Sequence, residues 1–289
     1  MSDYLSLLRP RQWLKNVFVF AGLIFSRQFY YPDSIQTSVL AFLVFCTLSS
    51  SIYIINDIFD APADRQHPAK RHRPLARGTI KLLHAWLIAG VLLAISVLGA
   101  WLIAVPFFMI CVTYIVLMVL YSLVIKTVII LDVLFVAMGY VLRAIAGAVV
   151  INVAISSWLL VCTLLLALFL AISKRRVEIV ILGDNAHHYR KTLSQYSLVL
   201  LDQMTAIVTS ACLVSYCLYT LTSETVIKFH TRNLIFTVPF VLYGIFRYLY
   251  LTYNKKQTDM PERILFSDIP LMLCLILWVI ACIAILTTA

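Results

Sequence analysis

Apolar runs long enough to cross a bilayer recur from one end of this chain to the other, and that recurrence leaves few folds open. Nine such runs can be drawn, at roughly 13–31, 36–56, 83–104, 106–125, 127–150, 155–173, 199–221, 232–253 and 265–287, with Pro106 dividing the third from the fourth. Each is near the ~20 residues a helix needs to cross hydrocarbon. No water is available there to satisfy the backbone, so the runs are expected to be helices and not strands. The composition agrees: 62% of the residues are apolar and only 12% charged, against about 25% charged in soluble domains. The stretch Met1 to Arg11 is polar and leads into a run of spanning length, so a cleavable leader is not expected. The expected architecture is an all-α integral membrane protein, residues 1–289 forming a single polytopic domain.

The net charge of +10 is carried by a few loops. With the N-terminus in the cytoplasm, 18 of the 23 lysines and arginines fall on that side and 3 on the other, while Arg143 and Arg247 lie inside runs. The positive-inside rule then predicts a cytoplasmic N-terminus, an external C-terminus and a multi-pass protein of the cell (inner) membrane. Basic charge so placed suits anionic headgroups or a phosphorylated substrate, and no nucleic-acid-binding motif accompanies it. The seven cysteines all lie in apolar runs without C-x-x-C spacing and read as small hydrophobes. Two connections are long, at about 57–82 and 174–198. Both fall on the cytoplasmic side, and long charged loops in a compact membrane protein are usually functional.

The first long connection opens with Asn56-Asp57-Ile-Phe-Asp60-Ala-Pro-Ala-Asp64. On a continuing helix Asn56, Asp57, Asp60 and Asp64 share a face, being three or four residues apart. Crowded carboxylates beside hydrocarbon repel one another, and a hard divalent cation relieves that cost. Mg²⁺ takes oxygen ligands, uses one or two carboxylates, and completes its shell with water and substrate phosphate. Asp57, Asp60 and Asp64 are therefore expected to hold Mg²⁺ and serve catalysis. Pro62 is expected to break the helix, leaving Asp64 to reach in from a turn. The bases Arg65, Lys70, Arg71, Arg73 and Arg77 follow at once. Arginine gives forked contacts to phosphate and lysine a point charge, as a polyanionic ligand requires. Pro68 and Pro74 should give this loop a definite shape.

N-D-x-x-D-x-x-x-D followed by these bases resembles the first signature of the UbiA superfamily of intramembrane prenyltransferases, which have nine helices. Arg9-Pro10-Arg11-Gln12-Trp13-Leu-Lys15-Asn16, Leu142-Arg143-Ala144-Ile145-Ala146-Gly147, and Lys174-Arg175-Arg176-x-Glu178 with Arg190-Lys191 and Tyr196 resemble its decaprenyl-phosphate phosphoribosyltransferase branch. The resemblance covers essentially the whole chain. Aromatic prenyltransferases of the superfamily carry a second Asp-rich motif in the second loop; here bases stand there, with Glu178 and Asp184 the only acids. The resemblance implies phosphoribosyl diphosphate on Mg²⁺ at the Asp cluster. It also implies a polyprenyl phosphate whose headgroup lies near Lys174, Arg175, Arg190 and Lys191, with its tail in the membrane. An acidic wall would then face a basic one. Arg176 stands where the branch has an aromatic residue.

Inside the runs, Lys15, Asn16, Asp132 and Arg143 are further substrate-binding candidates, because an intramembrane ionisable group is a functional suspect; for Arg143 a structural pairing is as good an account. Arg247 is expected to snorkel. Two other readings stay open. One is isoprenyl transfer to an aromatic or lipid acceptor, against which the missing second Asp motif counts. The other is a carrier for anionic lipid, which the gathering of charge on one face disfavours. Self-association into a homo-oligomer is compatible with all of this.

Overall fold

The computed structural model describes residues 3–65, 70–182, 191–253 and 267–288. All regular structure among them is helical, and eight helices are long and apolar enough to cross a membrane. Met1–Ile155 and Ser156–Ala289 form two compact units.

The first unit begins with a short helix, α1 (Asp3–Leu8), and then departs from expectation. The first apolar run is not an α-helix. It winds as a 3-10 coil over Pro10–Phe20, continues as α2 (Ala21–Ile24), and turns again at Gln28–Tyr30. At about 2.0 Å per residue in the coil and 1.5 Å in the helix, Pro10 to Ile24 still rises roughly 28 Å. The narrow coil lets two backbones touch. A Cβ on Gly147 would lie 1.7 Å from the Val19 carbonyl oxygen, and one on Gly22 would lie 2.7 Å from the Ala148 Cα.

The central element is α3 (Pro32–Asp64). Its 33 residues rise about 50 Å, well beyond the ~30 Å of hydrocarbon. The excess carries Asn56–Asp64 past the apolar run that precedes them. The helix does not break at Pro62, as the sequence had suggested, but continues to Asp64. Pro62 sits so close to the end that its missing N–H costs one bond of the last turn.

Single-turn α4 (Pro74–Arg77) has proline at its start and Gly78 in the left-handed region at its end, so the loop is shaped as expected where it is described. Leu75 and Ile80 are buried with Leu7, Ile54, Ile58 and Ala85, which ties this loop down beside the end of α3. The remaining helices are α5 (Leu82–Ile103), α6 (Val105–Leu123) and α7 (Leu131–Val150), with α5 and α6 meeting at the extended Ala104 just before Pro106. α3 packs on α5, on the 3-10 coil and on α7, and the core there centres on Phe45, Phe107 and Tyr114.

The second unit holds α8 (Ser157–Leu182), α9 (Leu198–Leu221), α10 (Ser223–Phe229), α11 (Val238–Tyr253) and α12 (Ile269–Thr288). α8 packs on α9, and α11 on α12. Ser197 caps α9 by accepting from the Leu200 N–H. Arg247 does not simply snorkel: it forks onto buried Asp268 at 3.1 and 2.8 Å, and Asp268 also accepts from the Leu271 N–H at the start of α12.

Candidate functional site

The acidic face of α3 resolves into two pairs. Asn56 donates to Asp60 at 2.8 Å, one turn apart. Asp57 and Asp64 are joined by one nitrogen of Arg73, which donates to both at 2.9 and 2.6 Å. Arg9 forks onto the other side of Asp57, engaging both of its oxygens. Lys126, from the turn between α6 and α7, reaches Asp60 at 2.8 Å. Each carboxylate therefore meets a cation supplied by the same unit.

The three acids are not equivalent. Asp57 and Asp64 are 3% and 4% exposed, whereas the Asp60 side chain is 30% exposed. Asp57, with a guanidinium fork on one side and a second guanidinium on the other, has little coordinating capacity left. Asp60, with Asn56 beside it, is the most open oxygen donor of the set. Among the described residues no three Asp, Glu, His or Cys side chains converge as a ready-made metal centre. Mg²⁺ does not need one, since one or two carboxylates, waters and substrate phosphates complete its shell. The carboxylate oxygens of Asp60 and Asp64 and the amide oxygen of Asn56 suit it chemically.

The sequence reading placed neither Arg9 nor Lys126 among the site residues: Lys126 counted only as loop charge, and Arg9 as loop charge and as part of the resemblance. Arg9 was visible in the Arg-Pro-Arg-Gln-Trp start, but nothing in its spacing pointed across to α3. Its backbone is left-handed, at φ 52°, an unfavourable conformation for arginine that is held here by the Asp57 fork and by stacking on Tyr53 at 5.4 Å. Arg65 and Arg77 are exposed. Lys70 begins a short 3-10 turn, but its side chain, like that of Lys191, lies outside the described residues, as do Pro68, Asp184 and Arg190.

Deeper in the first unit, Asn16 and Arg143 come together. Buried Arg143 donates at 2.7 Å to Asn16 Oδ1, to the Gly139 carbonyl and to the Tyr114 hydroxyl. Asn16 is anchored in turn on Ser49. Lys15 is half-buried, and Asp132 is fully buried in the first turn of α7.

In the second unit Arg175 and Arg176 each pair with a nearby carboxylate. Buried Arg175 donates to Glu178 at 2.7 Å. Arg176 donates to Asp202 at 2.7 Å and lies 3.8 Å over the Tyr253 ring, while the Tyr253 hydroxyl donates to the same Asp202 oxygen. An aromatic partner is thus supplied to position 176 from α11. Lys174 is half-buried and Tyr196 buried.

A helical membrane protein with a carboxylate-rich helix end and interleaved bases falls into a definite class. Residues 16–269 match the UbiA prenyltransferase family, and the chain belongs to that family. It is 30% identical to the decaprenyl-phosphate phosphoribosyltransferase of Mycolicibacterium smegmatis, over 96% of this chain and 91% of that protein. It is 31% identical to the enzyme of the same name from Corynebacterium glutamicum, over 94% of this chain and 83% of the other. Among solved structures, a UbiA homolog from Archaeoglobus fulgidus bound to GPP and Mg²⁺ shares the fold, with a TM-score of 0.75 at 22% identity, covering 99% of this chain and 100% of that one.

Proposed function

We propose that this chain transfers the 5-phosphoribosyl group from phosphoribosyl diphosphate to a polyprenyl phosphate, decaprenyl or undecaprenyl, in a Mg²⁺-dependent reaction at the cytoplasmic face of the cell membrane. The reading is carried by one observation: every carboxylate at the end of α3 is interleaved with a base, Arg9, Arg73 or Lys126. Such an array accepts a metal-bound diphosphate by exchanging partners, the carboxylates turning to the metal and the bases to phosphate oxygens. The names of the full-length relatives supply the substrates.

When bound, Mg²⁺ would be held by Asp60, Asp64 and Asn56 and would screen charge on the leaving diphosphate. Asp57 would keep Arg9 and Arg73 aimed at that diphosphate, and Lys126 would leave Asp60 for a phosphate oxygen. The C1–O bond to diphosphate breaks and a C1–O bond to the lipid phosphate forms, with inversion. Pyrophosphate departs with the electron pair. The attacking phosphate is already anionic, so no strong general base is required. The protein contributes positioning and electrostatic stabilisation. The second unit's Lys174, Arg190 and Lys191 would serve the acceptor headgroup.

The test is direct. Purified protein with Mg²⁺, phosphoribosyl diphosphate and decaprenyl phosphate should release pyrophosphate and form a phosphoribosylated lipid. Release only when an isoprenyl diphosphate and an aromatic acid are supplied would select isoprenyl transfer instead. Lipid movement in vesicles without either reaction would select a carrier.

A further inference from the structure

The Arg143 guanidinium is 97% buried in the apolar part of the first unit, and it has no carboxylate partner among the described residues. Its three contacts are all to neutral oxygens, and its faces lie near the rings of Tyr114 at 4.8 Å and Tyr140 at 5.5 Å. A charge left uncompensated at such depth is costly, whereas a paired one is tolerated. The hydrogen-bond inventory is unbalanced in the same direction. Each of the three guanidinium nitrogens donates once, which leaves two N–H groups with no acceptor among the described residues. The Tyr114 hydroxyl, 1% exposed, is spent as an acceptor for Arg143, and its own proton has no acceptor there either. Lys15 and Tyr53 stand close enough to act on Tyr114 electrostatically, and Tyr53 also carries the Arg9 guanidinium. The node is thus rich in donors and positive charge, poor in acceptors, and linked through one tyrosine to the Asp57 pair.

We propose that Arg143 and Tyr114, with Lys15 beside them, form a receptor for a phosphate monoester. A dianionic phosphate supplies what the node lacks, both negative charge and acceptor oxygens, and guanidinium forks match its geometry. The reading of phosphorylated substrates above offers two sources: the headgroup of the lipid acceptor, or the 5-phosphate of the ribosyl donor. The inference rests on that reading for its ligand, but its test requires no turnover.

Ribose 5-phosphate and farnesyl phosphate are titrated separately into the full-length protein in detergent by calorimetry, with ribose and farnesol as controls. Tyr114→Phe removes only the hydroxyl. Asn16→Asp gives Arg143 an internal carboxylate. Loss of one charged hydrogen bond predicts that Tyr114→Phe weakens one of the two phosphates about tenfold. Asn16→Asp should abolish that binding while raising the melting temperature, because it neutralises the buried cation. Loss confined to farnesyl phosphate assigns the site to the acceptor, and loss confined to ribose 5-phosphate assigns it to the donor. Wild-type affinity for both phosphates in both variants overturns the proposal. Absence of pyrophosphate release by the wild-type protein, with these binding losses intact, would remove the transfer reaction and leave the receptor standing.

Discussion

Exchanging single carboxylates of α3 for their amides should separate architecture from metal binding. Asp57→Asn keeps the shape but replaces one of two oxygens, both engaged by guanidinium groups, with an N–H donor pointed at them. Of three charge-assisted hydrogen bonds, at least one is lost and the others are weakened, at a position only 3% exposed. Each is worth about 1.5–3 kcal/mol. Arg9 and Arg73 retain partial solvent contact, with side chains 20% and 26% exposed, so the low end applies and the loss should be about 3 kcal/mol. Asp60→Asn is different. Its ion pair with Lys126 joins side chains that are 28% and 30% exposed, and such pairs contribute about 1 kcal/mol or less. The assays are thermal denaturation in detergent and Mg²⁺ titration of pyrophosphate release. Asp57→Asn should lower the melting temperature clearly and leave the Mg²⁺ dependence of residual activity near wild type. Asp60→Asn should melt almost normally and demand far more Mg²⁺. If Asp60→Asn proves the less stable protein, or Asp57→Asn the one starved of metal, the division of labour drawn from the two pairings is wrong.

Gly147→Ala should destabilise by about 3 kcal/mol or more, because the new methyl meets the Val19 backbone and not a side chain that can turn away; a normal melting curve would show that the 3-10 coil does not touch α7. Lys126→Met should raise KM for phosphoribosyl diphosphate about tenfold, the loss of one charged phosphate contact, with KM for the lipid nearly unchanged; equal shifts in both would return Lys126 to topology. Arg175→Gln breaks the Arg175–Glu178 ion pair, whose side chains are 4% and 12% exposed, and should cost about 2–3 kcal/mol in denaturation experiments, whereas unchanged stability would mean that pair is dispensable.

The parts of this fold that hydrophobicity controls were legible in the sequence. Seven of the predicted runs coincide with single spanning helices or their cores, and the Ala104–Pro106 break falls where proline placed it. The second run was recognised but its helix extends beyond both ends, because Asn56–Asp64 is polar and only ion pairs from Arg9, Arg73 and Lys126 reward a helix there. Run length alone could not distinguish the 3-10 coil at Pro10–Phe20 from an α-helix. Its winding is coupled to Gly147, more than a hundred residues away, and no local pattern announces that contact. Pro62 misled for a related reason: proline's penalty depends on how many helical bonds follow it, and here few do. Arg9 and Lys126 entered the sequence reading as loop charge, yet their partners are 48 and 66 residues distant.

The same long-range pairing revises the electrostatic picture of the site. Sequence order puts acids in the first long connection and bases in the second, which suggests one acidic wall opposite one basic wall. Among the described residues each of these carboxylates pairs with a base of its own unit. Asp57, Asp60 and Asp64 draw their cations from the first unit, and Glu178, Asp202 and Asp268 draw theirs from the second. In the transfer proposed above, a diphosphate and its metal would enter the first unit by a swap of partners: Asp60 and Asp64 would hold the metal while Arg73 and Lys126 turn to phosphate. Such an exchange leaves neither the carboxylates nor the bases without a partner through binding. It avoids the desolvation cost that bare carboxylates or bare guanidinium groups would carry at the edge of hydrocarbon. We propose that this exchange carries donor recognition, so substitutions at Arg175 or Arg176 should leave the affinity for phosphoribosyl diphosphate untouched wherever the protein remains folded.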